Sequence, residues 1–170
     1  EIELSQPPVF ILGHWRSGTT LLHNLFSQDP EFGYVTTYHS VFPNFLLSSR
    51  WLWRNVMKMV MPDRRASDNV KLSVDFPQEE EFAIGCMNSY SYYNWWYFPK
   101  NYKAFFDQYI AFDNDDPQIK SQWKKDYEKL VKKSLFNLNK KKFVSKNPPH
   151  TGRIDTLLEL FPESKFVHIY

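Results

Sequence analysis

Apolar positions follow two rhythms along this 170-residue chain. Val9–Leu12 is an unbroken apolar run that ends at Gly13, as a strand covered on both faces requires. Thr19–Phe26 then carries Leu21, Leu22, Leu25 and Phe26 at helical spacing, which predicts a helix that buries those four. Asp29-Pro30 closes it, and Tyr34–Thr37 reads as a short second strand. Pro43–Met61 is apolar, Trp-rich and ended by Pro62, so it reads as a helix. Pro77–Met87 reads as a shorter helix with an acidic first turn. Asp116-Pro117 is a strong helix start, with the acid as cap and Pro at the first helical position. Ile119, Trp123, Tyr127, Leu130, Val131, Leu135 and Leu138 recur behind it, while Lys124, Lys125, Glu128, Lys132 and Lys133 form a solvated opposite face.

Lys140–Lys142 ends that long helix. Phe143–Lys146 then reads as a strand and Asn147–His150 as a loop. Thr151 can cap a helix carrying Ile154, Leu157, Leu158 and Phe161, which Pro162 ends; Lys165–Tyr170 is the next strand, with the look of a buried one. Strand, helix, strand at this spacing is a parallel crossover. These elements predict one α/β domain with a parallel sheet flanked by helices.

Composition narrows the function. With 15 Phe, 10 Tyr and 6 Trp the chain has ample apolar surface to offset ordering entropy, so it is not disordered. Lys plus Arg is 21 and Asp plus Glu is 19, a balance that argues against nucleic acid as partner, because such binding rests on clustered cations. No stretch approaches the roughly 20 apolar residues of a membrane span. The acidic start Glu1-Ile2-Glu3 shows no secretory signal. A single cysteine, Cys86, precludes an internal disulfide and a multi-thiolate zinc site. It fits a reducing compartment, so the expected location is cytoplasmic.

The chemistry concentrates between the first strand and the first helix, at Gly13-His14-Trp15-Arg16-Ser17-Gly18-Thr19-Thr20. Two glycines five apart let the backbone wrap and turn its N–H groups inward. The helix start adds its positive dipole end. Arg16 adds a cation, and Ser17, Thr19 and Thr20 add hydroxyls. The result is a cradle for a phosphate- or sulfate-sized anion; the plain alternative is an ordinary strand-to-helix turn. In the ATP-binding form of such a loop, Lys directly follows the second glycine. Here Thr19 stands there and the cation precedes the glycine. The second strand ends in Lys146, where a magnesium-holding Asp is usual, so charge neutralisation without metal is expected.

Arg16-Ser17-Gly18-Thr19-Thr20 after an apolar strand resembles the 5′-phosphosulfate loop of sulfotransferases, in the form found in carbohydrate and tyrosyl-protein members and bacterial relatives. Three further stretches agree in order: Thr36-Thr37-Tyr38-His39 with Phe42-Pro43, Pro77-Gln78-Glu79-Glu80-Glu81-Phe82, and Lys146-Asn147-Pro148-Pro149-His150. The resemblance implies a P-loop NTPase-like sheet, and it implies 3′-phosphoadenosine 5′-phosphosulfate (PAPS) as sulfuryl donor with no metal. It also implies that residues 1–170 are the N-terminal portion of a single domain, truncated before an Arg and a Ser that would hold the donor's 3′-phosphate beyond Tyr170.

Sulfuryl transfer needs a cradle, a cation at the leaving oxygen and a base for the acceptor. Arg16, Ser17, Gly18, Thr19 and Thr20 are the cradle candidates, and Lys146 is the cation candidate. His150 and His39 can titrate near neutrality and are candidate bases, although either can be structural. Glu79 and Glu80 are the other candidates. On a helix Glu79 shares a face with Phe82, Ala83 and Cys86, and Glu80 shares one with Ala83, Ile84 and Met87, whereas Glu81 points toward Gly85 and Asn88. An acidic first turn favoured by the helix dipole explains the same residues without catalysis. The aromatic run Tyr90, Tyr92, Tyr93, Trp95, Trp96, Tyr97 and Phe98 lines an acceptor pocket for a sugar, phenol or lipid, or else belongs to the core or a dimer face. His14, Trp15 and His23 pack near the cradle, and Arg64-Arg65 reads as solvated. A small-molecule kinase or nucleotide hydrolase with an atypical P-loop, and a non-catalytic anion-binding scaffold, remain the other readings of these residues.

Overall fold

The structure is a computed structural model that describes residues 4, 6–64, 71–113 and 116–170. Strand β1 (Val9–Gly13) is buried at all five positions, as its unbroken apolar run demands. It lies between β3 (Lys142–Lys146) and β4 (Lys165–Ile169), and β2 (Phe32–Gly33) lies beyond β3. The order β2-β3-β1-β4 is parallel throughout. Register pairs Ile11 with Lys146 and Gly13 with Ile169, so the strands end together along one carboxyl edge.

Alternation along β1 sorts the layers. Val9 and Ile11 join Phe32 and Val144 on one face, under Leu22 and Phe26 of α1 (Thr19–Phe26). Phe10 and Leu12 point the other way, into the main core with Trp123, Tyr127, Leu130 and Leu135 of α6 (Pro117–Leu138). Helix α6 begins as its sequence predicts, with the Asp116 side chain accepting from the Gln118 N–H at 2.9 Å. The protein is therefore α/β, with a parallel sheet between helical layers.

Four expectations need correction. On α1 the buried residues are Thr19 and His23, while Leu21 and Leu25 are 66% and 59% exposed. The turn that launches the helix sets which side meets the sheet, and here it overrides the helix's own apolar stripe. Tyr34–Thr37 is not a strand. Val35 O accepts from Gln78 N (2.8 Å), and Thr37 N donates to Phe76 O (2.9 Å), so the segment is spent holding the approach to α4 (Glu80–Met87). The 43–61 stretch breaks at Ser49, left-handed at φ 57°, into a turn at Pro43–Phe45 and helix α3 (Arg50–Val60). Thr151 does not cap α7 (Ile154–Leu160); its Oγ1 accepts from the Gly13 N–H at 3.1 Å. Among the described residues, β4 is the outermost strand beside β1, and its Lys165, Val167 and His168 are exposed. Two short helices, α2 (Thr37–Val41) and α5 (Tyr102–Phe106), complete the frame around the carboxyl edge. Arg65, of the Arg64-Arg65 pair, lies outside the described residues.

Candidate active site

The β1–α1 loop folds as a compact turn. Ser17 donates to the His14 carbonyl through its Oγ (2.7 Å) and, weakly, through its N–H (3.4 Å). Arg16 and Gly18 are left-handed, at φ 70° and 95°. This alternation curls successive N–H groups toward one point and forms an anion nest. The first helical bond runs from Leu22 N to Gly18 O. The N–H groups of Gly18, Thr19 and Thr20 have no acceptor among the described residues. A Cβ on Gly18 would meet no atom within 4 Å, so the mouth of the nest is open. At Gly13 the reason for glycine differs. A Cβ there would lie 2.7 Å from Ile169 O of the neighbouring strand.

The second half of the site comes from the segment held by Val35 and Thr37. It delivers three consecutive carboxylates to the ends of β1 and β3, and each meets a different environment. Glu79 precedes α4 and is an ion-pair partner of Lys146, the last residue of β3; their side chains are 14% and 5% exposed. The Tyr93 hydroxyl donates to the other Glu79 oxygen, and Trp15 Nε1 donates to that hydroxyl at 3.4 Å. A continuous polar chain thus runs from the end of β3 to the loop.

Glu80 is fully buried. Its Oε2 accepts from Ser145 Oγ at 3.0 Å, and its Oε1 has no partner among the described residues. Burial pushes its pKa up to about 8, so it carries a proton at neutral pH. Behind it, the Tyr127 hydroxyl reaches Ser145 Oγ (3.4 Å) and His150 Nε2 (3.0 Å). His150 Nε2 also lies 3.8 Å from Glu80 Oε2. The Asn147 amide donates toward His150 Nδ1 (3.4 Å), which leaves Nε2 as the protonated nitrogen. Burial and the Arg153 charge hold His150 well below the usual range, so the ring is neutral.

Glu81 is equally buried. Arg153 clamps it with Nη1–Oε2 at 2.6 Å and Nη2–Oε1 at 3.0 Å. Asn147 Nδ2 (3.0 Å) and the Tyr92 N–H (2.6 Å) complete its shell. Burial alone would raise its pKa. The Arg153 charge and these donors override burial and hold the carboxyl below the ordinary value. Arg153 in turn donates to Tyr109 O (2.7 Å) and stacks over Trp123 at 4.7 Å.

Of the predicted site residues, the structure brings Lys146 and Glu79 together and sets His150 behind Glu80. His39 stands apart. Its Nδ1 accepts from Thr36 N (3.3 Å), its N–H donates to Thr36 Oγ1 (3.1 Å), and its Nε2 pairs with Asn137 Oδ1 (3.0 Å), which caps α2 on both sides. Burial drops its pKa to about 4. His23 packs beneath the loop, pushed down to about 3 by burial and then by the Lys146 charge. Sequence reasoning passed over Glu81, Arg153, Tyr127, and the bond from Trp15 to Tyr93. Only the triple-Glu run offered a signal, because Arg153 and Tyr127 sit in unremarkable sequence.

The aromatic run divides. Tyr92 and Tyr93 are buried, while Trp96, Tyr97 and Phe98 are exposed. Tyr93 stacks on Trp96 (4.4 Å), and Phe82 lies edge-on to Tyr93 (5.0 Å). With Val41, Cys86 and Tyr97 they line a mostly apolar cavity of ≈ 330 Å³ whose wall includes the tyrosine bonded to Glu79. A second cavity of ≈ 370 Å³ borders the loop at Trp15, Pro148, Thr151 and His168. Among the described residues, no group of three His, Cys, Asp or Glu side chains is arranged to hold a metal ion, and no helix is long and apolar enough to cross a membrane.

Comparison with known proteins bears on this arrangement. Residues 7–170 match the profile described as the sulfotransferase family. Omega-hydroxy-beta-dihydromenaquinone-9 sulfotransferase Stf3 of Mycobacterium bovis, and its counterpart in Mycobacterium tuberculosis, are each 36% identical over 99% of this chain. The chain spans 43% of their length, less than half. Among solved structures, sulfotransferase STF9 from Mycobacterium avium has a TM-score of 0.62 at 23% identity, covering 100% of this chain and 43% of its own. Sulfotransferase STF1 from Mycobacterium tuberculosis has a TM-score of 0.57 at 17% identity, covering 99% of this chain and 46% of its own. At these identities the two structures speak for the fold.

Proposed function

The chain belongs to the sulfotransferase family, and we propose that the protein moves a sulfuryl group from PAPS to a hydroxyl, or an amine, of a small apolar acceptor without a metal ion. The observation that carries this reading is the open nest of Gly18, Thr19 and Thr20 N–H groups, joined through Trp15 and Tyr93 to the Glu79–Lys146 pair. PAPS supplies the activated sulfuryl group, as a phosphosulfate anhydride with adenosine 3′,5′-bisphosphate as leaving group. Arg16 through Thr20 bind the anionic end of the donor, and the dipole of α1 adds to that attraction. Lys146 neutralises negative charge on the departing phosphate oxygen, the task magnesium performs in phosphoryl transfer. Glu79 takes the proton of the acceptor hydroxyl as the new O–S bond forms. Of the four candidate bases it is the one in direct contact with Lys146. Glu80 holds a proton at neutral pH, and His39 and His150 are spent on structural bonds.

The ≈ 330 Å³ aromatic cavity supports an apolar acceptor, because its wall tyrosine is bonded to Glu79. The mycobacterial relatives are named for a hydroxylated menaquinone, and an acceptor of that kind, a hydroxylated lipid, is our assignment here. The full-length protein incubated with radiolabelled PAPS, excess chelator and a panel of hydroxylated quinones and sugars tests this. Label should appear in an organic-soluble product. Glu79→Gln should lower kcat by roughly 10²-fold or more with little change in donor affinity. Transfer from ATP that requires magnesium, with none from PAPS, would overturn the reading.

A further inference from the structure

Glu79 owes its orientation to its partners rather than to its own element. It precedes α4, its side chain caps no N–H of that helix, and its backbone N–H donates to Gln78 Oε1 at 3.1 Å. Pairing with Lys146 fixes one oxygen, but a single contact leaves the plane of a carboxylate free to turn about its last side-chain bond. The other oxygen accepts from the Tyr93 hydroxyl. Several contacts fix that hydroxyl in turn. The Tyr93 ring is buried, stacked on Trp96 at 4.4 Å and edge-on to Phe82 at 5.0 Å. Its N–H donates to Ser91 Oγ at 3.2 Å, and Ser91 Oγ donates to Glu81 O at 3.0 Å, so the ring rides on a segment held by a buried residue of α4.

Trp15 completes the arrangement from the other side. Its Nε1 donates to the Tyr93 oxygen at 3.4 Å. An oxygen that accepts there has its own hydrogen left to aim at Glu79, and the two bonds reinforce each other. Burial and the Glu79 charge push the Tyr93 pKa up, so that hydrogen stays in place. We propose that Tyr93 is a positioning residue for sulfuryl transfer: its hydroxyl sets the plane of the Glu79 carboxylate, and Trp15 of the β1–α1 loop sets the hydroxyl. The proposal rests on Glu79 as the base and adds the group that orients it. As the acceptor oxygen bonds to sulfur and the S–O bond to the phosphate breaks, the acceptor proton passes to Glu79, and Tyr93 keeps its own. Orientation matters at this step because a reacting group displaced by about 1 Å can lose roughly a hundredfold in rate. Trp15 lies between Gly13 and Gly18, so the bonds that orient the base begin in the loop that binds the donor.

Two measurements on the full-length protein test it. The first needs no substrate. In proton NMR of the free protein, the Tyr93 hydroxyl should give a slowly exchanging resonance downfield of the amides, absent in Tyr93→Phe and displaced in Glu79→Gln. The second is transfer from PAPS at saturating donor. Tyr93→Phe keeps the ring and its stacking, and should lower kcat by roughly tenfold or more, with adenosine bisphosphate affinity and melting temperature little changed. Trp15→Phe should lower kcat by about two- to fivefold, and the double variant should match Tyr93→Phe alone, because Trp15 acts through the hydroxyl. In a Glu79→Gln background, Tyr93→Phe should cause no further loss. A merely structural tyrosine would lower the melting temperature and leave these couplings at zero. Absence of the downfield resonance would overturn the proposal, as would an unchanged kcat in Tyr93→Phe or an equal loss with and without Glu79. If Glu79→Gln cuts transfer while Tyr93→Phe does not, the proposal fails alone; if Glu79→Gln leaves transfer intact, the assignment of the base fails with it.

Discussion

The loop at Gly13–Thr20 and the carboxylates at Glu79–Glu81 border the same edge of the sheet, yet they are built in opposite ways. The loop is contiguous. Its shape follows from three residues with positive φ, Gly13, Arg16 and Gly18, and from bonds to its own His14 carbonyl. Its donors at Gly18, Thr19 and Thr20 are left open. Each carboxylate has a partner 65 to 72 residues away: Ser145 for Glu80, Lys146 for Glu79, Arg153 for Glu81. Nearly all of their bonding capacity is used. A loop with open donors can be written into eight neighbouring residues, whereas protonation states require partners that only folding brings together.

Neutralising the carboxylates one at a time should break that contrast most sharply. Glu81→Gln leaves Arg153 as an uncompensated buried charge, which should cost roughly 3–5 kcal/mol of stability at pH 7 in urea denaturation. Because the Glu81 pKa is held below its unfolded value, this contribution is present above about pH 4.5 and fades as pH falls through the depressed value. Glu80 has the opposite sign. Its pKa rises from 4.5 to about 8, so its favourable state is complete below pH 4.5 and is lost as pH climbs through 8. Glu80→Gln should therefore flatten the pH dependence of stability over that window by an amount on the order of 5 kcal/mol. An unchanged slope would mean that Glu80 is ionised in the fold.

The loop should respond in binding rather than in stability. Arg16→Ala should weaken adenosine bisphosphate or PAPS binding by roughly tenfold to a hundredfold in calorimetry, with the melting temperature unchanged. The smallest effect is expected at Gly18→Ala. The added methyl meets nothing, so only the left-handed backbone is strained, by about 1–2 kcal/mol. A loss of stability at Arg16→Ala as large as at Glu81→Gln would erase the distinction between the two regions.

Legibility followed the same division. The apolar run of β1, the cap at Asp116 and the seam from Ile119 to Leu135 were readable because backbone propensity and hydrophobic period act over a few residues. The compact turn with its positive-φ glycines was readable for the same reason. The buried side of α1 was readable only in part, since Leu22 and Phe26 pack on the sheet while Leu21 and Leu25 turn outward. The Tyr34–Thr37 stretch has the composition of a strand, yet it pairs with the approach to α4 instead of the sheet. Titration near neutrality is intrinsic to the histidine side chain, but burial lowers both His39 and His150 from it, which their residue type could not show.

What the chain determined by itself was a parallel α/β frame and a tight loop with positive φ at Gly13, Arg16 and Gly18, since local sterics need nothing from afar. What only the tertiary structure decided was the charge on each of three adjacent glutamates. A carboxyl's protonation depends on the water it loses and the cation it meets, and a helical pattern specifies neither.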